Sequence, residues 1–271
     1  MLLRKGMCTF TLMACASLLL VYVMSEKQTN AQENKSAPFK PISGYEYLAA
    51  GTKSLQDDDF QNPGMFMVDR GRALWSKIDG REGKSCASCH GPAENAMKGV
   101  AARYPLYDEK KQQLLNLELR INAERQDKMG AAGFEFESPD LLAMTAFLSF
   151  QSRGEKMQVD ITGPAAIYYH EGRDFYNQRR GQLDLSCGQC HDDHVGAKLR
   201  GDLISQGQIN GFPLYRLSWR TLLSRHRIFI WCNTSVRAEP YAYGSREYLG
   251  LELFLAARGN GLQIESPAVR R

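Results

Sequence analysis

One five-residue pattern occurs twice in this chain, 101 positions apart: Cys86-Ala87-Ser88-Cys89-His90 and Cys187-Gly188-Gln189-Cys190-His191. C-x-x-C-H is the attachment signature of c-type haem: the two thiols add to the porphyrin vinyl groups and the adjacent histidine is placed to bind the iron. Paired disulfides would use the cysteines but leave a histidine after each pair unexplained. Two intact copies therefore predict two covalently bound haem c groups, held by Cys86, Cys89, Cys187 and Cys190, with His90 and His191 as iron ligands. A chain with 24 Gly and 10 Pro has few long apolar helices, and a porphyrin supplies the core that such a sequence lacks.

The motifs belong to a longer repeat. The same shift carries Gly71-Arg72 onto Gly172-Arg173, Ser85 onto Ser186 and Trp75 onto Tyr176. Each motif thus follows a short segment that begins Gly-Arg and carries an aromatic, as expected of the first helix of a small cytochrome. In each half a capped apolar helix follows later, opened by Ser138-Pro139-Asp140 and running to Phe150, or opened by Ser245 and running to Arg258, where Gly259 stops it. The expected fold is mainly α: two class I cytochrome c-type domains with long loops, over residues 32–155 and 156–271, related by internal duplication. The charge balance, 34 Lys+Arg against 30 Asp+Glu, leaves no basic stripe of the kind that binds nucleic acid.

Residues 1–31 have the order of a secretory signal: Arg4 and Lys5, an apolar run from Met7 to Met24, then a polar stretch ending at Ala31. Export is expected, with no stable membrane insertion after cleavage. A retained anchor is the first alternative, and a lipoprotein signal at Leu12-Met13-Ala14-Cys15 is the second.

What binds the far side of each iron is less symmetric. No methionine follows Met157, so the candidates opposite His191 are His194, His226, Cys232 or an open position. Cys232 lies 41 residues beyond His191, about the loop length needed, and after cleavage it is the one cysteine outside the motifs. Thiolate ligation lowers the potential and places a sulfur nucleophile at the haem edge.

With these residues in view, the sequence from about Phe60 to Arg271 resembles the SoxA family, the cytochrome subunit of the SoxAX thiosulfate-oxidising complex. The similarity is carried by Ser88-Cys89-His90-Gly91, Met97 to Pro105, Ser186 to Asp192, Ser205-Gln206-Gly207, Gly211 to Arg216, Val236 to Pro240 and Glu265 to Arg271. The resemblance implies a two-domain periplasmic cytochrome, paired with a small haem c subunit of SoxX type, that couples thiosulfate oxidatively to a cysteine of a SoxYZ-type carrier. It further implies that Cys232 is a haem ligand, often carried as a persulfide, and the attachment point for the outer sulfur of the substrate. Such chemistry needs a sulfur nucleophile, cations for a dianion and a one-electron acceptor. Arg216, Arg220, Arg225, Arg227 and Arg237 lie within 16 residues of Cys232, and Arg227 and Arg216 are the expected substrate contacts.

Two positions depart from the family pattern. In two-haem members a cysteine usually binds the first iron from a segment like Arg120 to Arg125, and here Glu124 occupies that place. Met129, 39 residues after His90, is the expected replacement by loop length; Met97 is too near, and Met144 sits within its own helix. The stretch before Cys232, Arg227-Ile228-Phe229-Ile230-Trp231, is also less basic than is usual. The competing functions are a two-haem electron carrier without substrate chemistry, a two-haem peroxidase, and a thiosulfate dehydrogenase making tetrathionate.

Overall fold

Two glycines decide how the helices meet. A Cβ on Gly71 would run into the carbonyl of Ala143, and one on Gly172 into the carbonyl of Gly250. Each glycine therefore lets one helix backbone rest directly on another, and each is the Gly of a Gly-Arg pair seen in the sequence. The computed structural model describes residues 39–271, so the expected signal peptide lies outside the described residues. Pro41–Arg271 forms one compact unit.

After a 3₁₀ turn at Gly44–Tyr47 come α1 (Ala50–Asp57), α2 (Met65–Ser76), the motif helix α3 (Cys86–His90) and the short α4 (Ala93–Ala96). Strands β1 (Leu106–Asp108) and β2 (Gln113–Leu115) form a hairpin, followed by α5 (Leu117–Glu124), a single π-helical turn at Arg125–Met129, and α6 (Pro139–Phe150). The second half begins with α7 (Ala165–Asn177) and the motif helix α8 (Cys187–His191), then a two-residue hairpin of β3 (Lys198–Leu199) and β4 (Asp202–Leu203). Strands β5 (Leu214–Arg216) and β6 (Thr221–Leu223), α9 (Arg225–Ser235), α10 (Arg246–Arg258) and β7 (Ala268–Arg270) complete the chain. Four helices start where short polar side chains accept backbone N–H groups: Ser138, Ser245, Asn116 and Ser224 cap α6, α10, α5 and α9. The mainly helical fold agrees with expectation.

The principal elements follow the same order in both halves. A long helix crosses a later one (α2 on α6, α7 on α10), with the motif helix after the first and a hairpin plus a second helix between. Both motif helices open with a full capping box, on Ser85 with Ser88 and on Ser186 with Gln189. Trp75 donates its indole N–H to the carbonyl of Gly91, and Tyr176 its hydroxyl to Asp192, so the aromatic of each first helix ties down the residue after the motif histidine.

The halves interlock. Leu114 of the first hairpin lies in the core built by α7 and α10, and Leu222 of the second hairpin lies in the core built by α2 and α6. At the other end, β7 adds in parallel to β5, and Gln56 of α1 accepts from the backbone N–H of Val269 and from Arg270. Where α5, α9 and α10 meet, a charged cluster is fully enclosed. Arg225 Nη1 donates to Glu252 at 3.1 Å, Asn116 donates to the same carboxylate at 3.1 Å, and His226 Nε2 lies 3.0 Å from it. Glu118 is buried beside this group. Burial pushes Glu252 up, but Arg225, His226 and Asn116 more than offset this and hold it ionised. Burial and the charge of Glu252 push Glu118 up to about 7.

Candidate haem and sulfur site

All five described cysteines, Cys86, Cys89, Cys187, Cys190 and Cys232, are unpaired thiols. This is what covalent porphyrin attachment at both motifs requires. His191 is prepared as a ligand: its Nδ1 lies 2.7 Å from the carbonyl of Ser205, which fixes the tautomer with Nδ1–H donated and leaves Nε2 for a metal. Gly207 sits under the ring at φ +70°, where a Cβ would meet the imidazole at about 3.1 Å, so this loop closes on the histidine only with glycine there. Burial keeps the imidazole neutral, the form that ligates. At the first motif His90 lies against Trp75, ring centroids 5.7 Å apart.

Cys232 arrives from the eighth position of α9, whose N-cap Ser224 follows directly on β6. The structure brings it to the second motif, since its electrostatic neighbours are Cys187, Cys190 and Arg216. Burial pushes its thiol up to about 12, the two motif cysteines add to the effect, and Arg216 opposes it. A thiol placed so stays protonated unless a cation binds it, and a thiolate-binding metal removes that proton outright. Two attachment thiols, a histidine with its Nε2 left open and this half-buried thiol form a donor set that fits a haem c. With such a group bound, His191 and Cys232 are the residues placed to hold its iron.

Of the other candidate ligands, His226 has both ring nitrogens engaged and His194 one. His194 Nδ1 contacts the carbonyl of Gln189 one turn back on α8. His226 is fully buried, with its Nδ1 accepting from the N–H of Gly244 at 3.1 Å and its Nε2 against Glu252. No sequence signal marked either role of His226, because both partners are far along the chain.

The arginines grouped near Cys232 in the sequence do not form one patch. Arg225 is consumed by Glu252, and Arg237 hydrogen-bonds Gln182. Arg227 contacts Glu137 at 3.4 Å and lies 5.4 Å over the ring of Trp219. Arg216 is the one set electrostatically against Cys232. Its guanidinium packs against both Trp219 and Trp231, at 5.0 and 4.9 Å from their ring centroids, and its buried Nε makes no hydrogen bond among the described residues. A half-buried cation packed on two indoles, with an unused donor and within electrostatic reach of a thiol, is a place for an anion.

At the first motif, Glu124 ends α5 and pairs with Arg120 at 3.1 Å. Arg120 also holds Asp108 at 2.7 Å and donates to the Tyr104 hydroxyl at 3.3 Å. Burial raises the Cys86 thiol, with Arg125 and Glu124 among the charges acting on it. Met129 is buried at the end of the π turn, and its carbonyl accepts from the N–H of Glu82. None of the described helices is long and apolar enough to cross a membrane.

Residues 70–157 match the family described as SoxA/TsdA, cytochrome c domain, which makes this a haem c protein. The chain is 44% identical over 228 residues to the L-cysteine S-thiosulfotransferase subunit SoxA of Rhodovulum sulfidophilum, spanning 84% of this chain and 79% of that protein. It is 42% identical to the corresponding subunit of Paracoccus pantotrophus, over 84% of this chain and 78% of that protein. Its fold is similar to the crystal structure of SoxXA from P. pantotrophus, with a TM-score of 0.82 and 41% identity over 85% of this chain and 87% of that one. Sequence and fold agree over most of both lengths, and the chain belongs to the SoxA family.

Proposed function

We propose that this chain is the haem c subunit of an L-cysteine S-thiosulfotransferase: it couples thiosulfate to a cysteine of a SoxYZ-type carrier and passes the electrons to cytochromes. The observation that carries this reading is the meeting of Cys232 and Arg216 at the second motif. Coupling joins the outer sulfur of thiosulfate to the carrier sulfur, giving a cysteine S-thiosulfonate, one proton from the carrier thiol and two electrons. The haem, when bound, supplies the one-electron acceptor.

The protein's own residues do the rest. Cys232 is the sulfur at which the outer sulfur of the substrate is held. Arg216 presents its unused Nε to the sulfonate oxygens, and the flanking indoles keep the guanidinium in place and partly dry, where each charge-assisted hydrogen bond is strong. Arg227 stands over Trp219 as a second cation for the incoming dianion. The thiol proton of the carrier leaves on coupling, so the rate rises with pH as that thiol ionises.

Two haems belong to this reading, on Cys86, Cys89 and His90 and on Cys187, Cys190, His191 and Cys232. So do cytochrome domains at 32–155 and 156–271 that arose by duplication, a small haem c partner of SoxX type, cleavage of residues 1–31 and a periplasmic location. The repeated order of elements supports the duplication, and the likeness to SoxXA from P. pantotrophus supports the partner. The test is the mass of the carrier after incubation with thiosulfate and the assembled complex. The carrier gains a thiosulfate on its cysteine with wild type and not with Cys232→Ala; an equal gain with both ends this assignment.

A further inference from the structure

The two hairpins superpose in register under one shift. Leu106 pairs with Leu115 and Tyr107 with Leu114 in the first, as Leu214 pairs with Leu223 and Tyr215 with Leu222 in the second, a shift of 108 at every position. It also carries the N-cap Asn116 onto the N-cap Ser224, and hence α5 onto α9. Continued to the end of α5, it carries Glu124 onto Cys232.

Two further contacts support this match. Arg125, just after Glu124, is tied at 2.7 Å to Asp79, which bridges to Lys84 ahead of the first motif. Asn233, just after Cys232, is tied at 2.6 Å to Arg180, which bridges to Leu185 ahead of the second. Glu124 also interacts electrostatically with the motif cysteine Cys86, and Cys232 with the motif cysteines Cys187 and Cys190. The anchoring is therefore the same on both sides, and only the residue presented differs. Met129 comes five residues too late, and the shift carries it onto Arg237.

We propose that Glu124 faces the first haem iron in the place that Cys232 takes at the second, with Arg120 holding the carboxylate. This rests on the two-haem reading above. A carboxylate oxygen is a hard, weak-field donor where a thiolate is soft and strong, and Arg120, clamped by Asp108 and Tyr104, competes with the iron for it. The matching residues of the second half, Ile228, Arg216 and Phe212, build no such clamp. The first iron is then high-spin and exchangeable, a site that accepts small ligands, whereas the second is closed by sulfur.

The test uses the ferric holoprotein, with denaturing mass spectrometry to count haems and electron paramagnetic resonance to read their spin states. Wild type is expected to carry two haems, one low-spin with thiolate character and one high-spin. Added cyanide takes up a single equivalent and removes only the high-spin signal. Glu124→Cys converts the first haem to a second low-spin thiolate species and abolishes cyanide uptake. Should that variant fail to load haem, Glu124→Gln serves instead: the loss of the anionic donor shifts the high-spin signal and raises cyanide affinity at least several-fold. Two low-spin haems in wild type, with Met129→Ala turning one high-spin, overturn the proposal while leaving the two-haem reading intact. A mass excess of one haem overturns both.

Discussion

Helices α5 and α9 are the same device used twice, yet they deliver opposite chemistry. Each starts from a capped position straight after a hairpin, and each is pinned one residue past its delivery point to the segment ahead of a haem motif. At the end of α5 stand a carboxylate and a guanidinium clamped by Asp108; at the matching turn of α9 stands a thiol beside an arginine held by two tryptophans. The scaffold fixes where a side chain arrives, and the side chain alone fixes what the site can do.

The comparison is most sharply broken at the start of the two helices, where Leu117 of α5 is matched by Arg225 of α9. At this position only the second half carries a charge that needs an enclosed partner. Glu252→Ala leaves Arg225 buried without its carboxylate, and denaturant unfolding of the holoprotein should register a loss of about 3–5 kcal/mol. The next effect falls on the sulfur site. Arg216→Ala removes the cation beside Cys232, and kcat/KM for thiosulfate should fall roughly 10–100-fold with haem loading unchanged. Arg227→Ala, with its guanidinium already engaged by Glu137, should cost less.

A smaller effect separates the carboxylates of the enclosed cluster. Glu118 has a raised folded pKa of about 7, so the folded state binds the extra proton between the ordinary carboxylate range and that value. Stability from this group is fully present at low pH and is lost as pH climbs toward 7 and beyond. Glu118→Gln stays neutral at every pH. It should match wild type below about pH 4 and exceed it by roughly 3 kcal/mol near pH 8, measured as denaturation midpoints across that range.

Much of this was legible in the sequence because it rests on local patterns. The motifs, the Gly-Arg pairs that become the helix crossings, the capping serines and the position of Cys232 all follow from spacing and residue type. Glu124 was harder to align. The shift between the halves is 101 at the motifs and 108 at the hairpins, because the second half inserts β3 and β4 between them. Holding to the first shift would misplace every residue of α9 against α5. The arginine cluster misled for a different reason: neighbours along a helix point to different faces, and Arg225 and Arg227 part company just after Ser224, one toward Glu252 and the other toward Glu137. The exchange of Leu114 and Leu222 between cores, and the docking of α1 on β7, join residues so far apart in sequence that no window could have paired them.

The central claim is that Cys232 stands at the second haem and is the sulfur of the chemistry. It is tested most directly by paramagnetic resonance of ferric wild type and Cys232→Ala, each then mixed with thiosulfate and carrier while haem reduction is followed. The substitution is expected to abolish the low-spin thiolate signal and haem reduction together, leaving the first haem's signal as it was. An unchanged thiolate signal, or reduction at the wild-type rate, would contradict it.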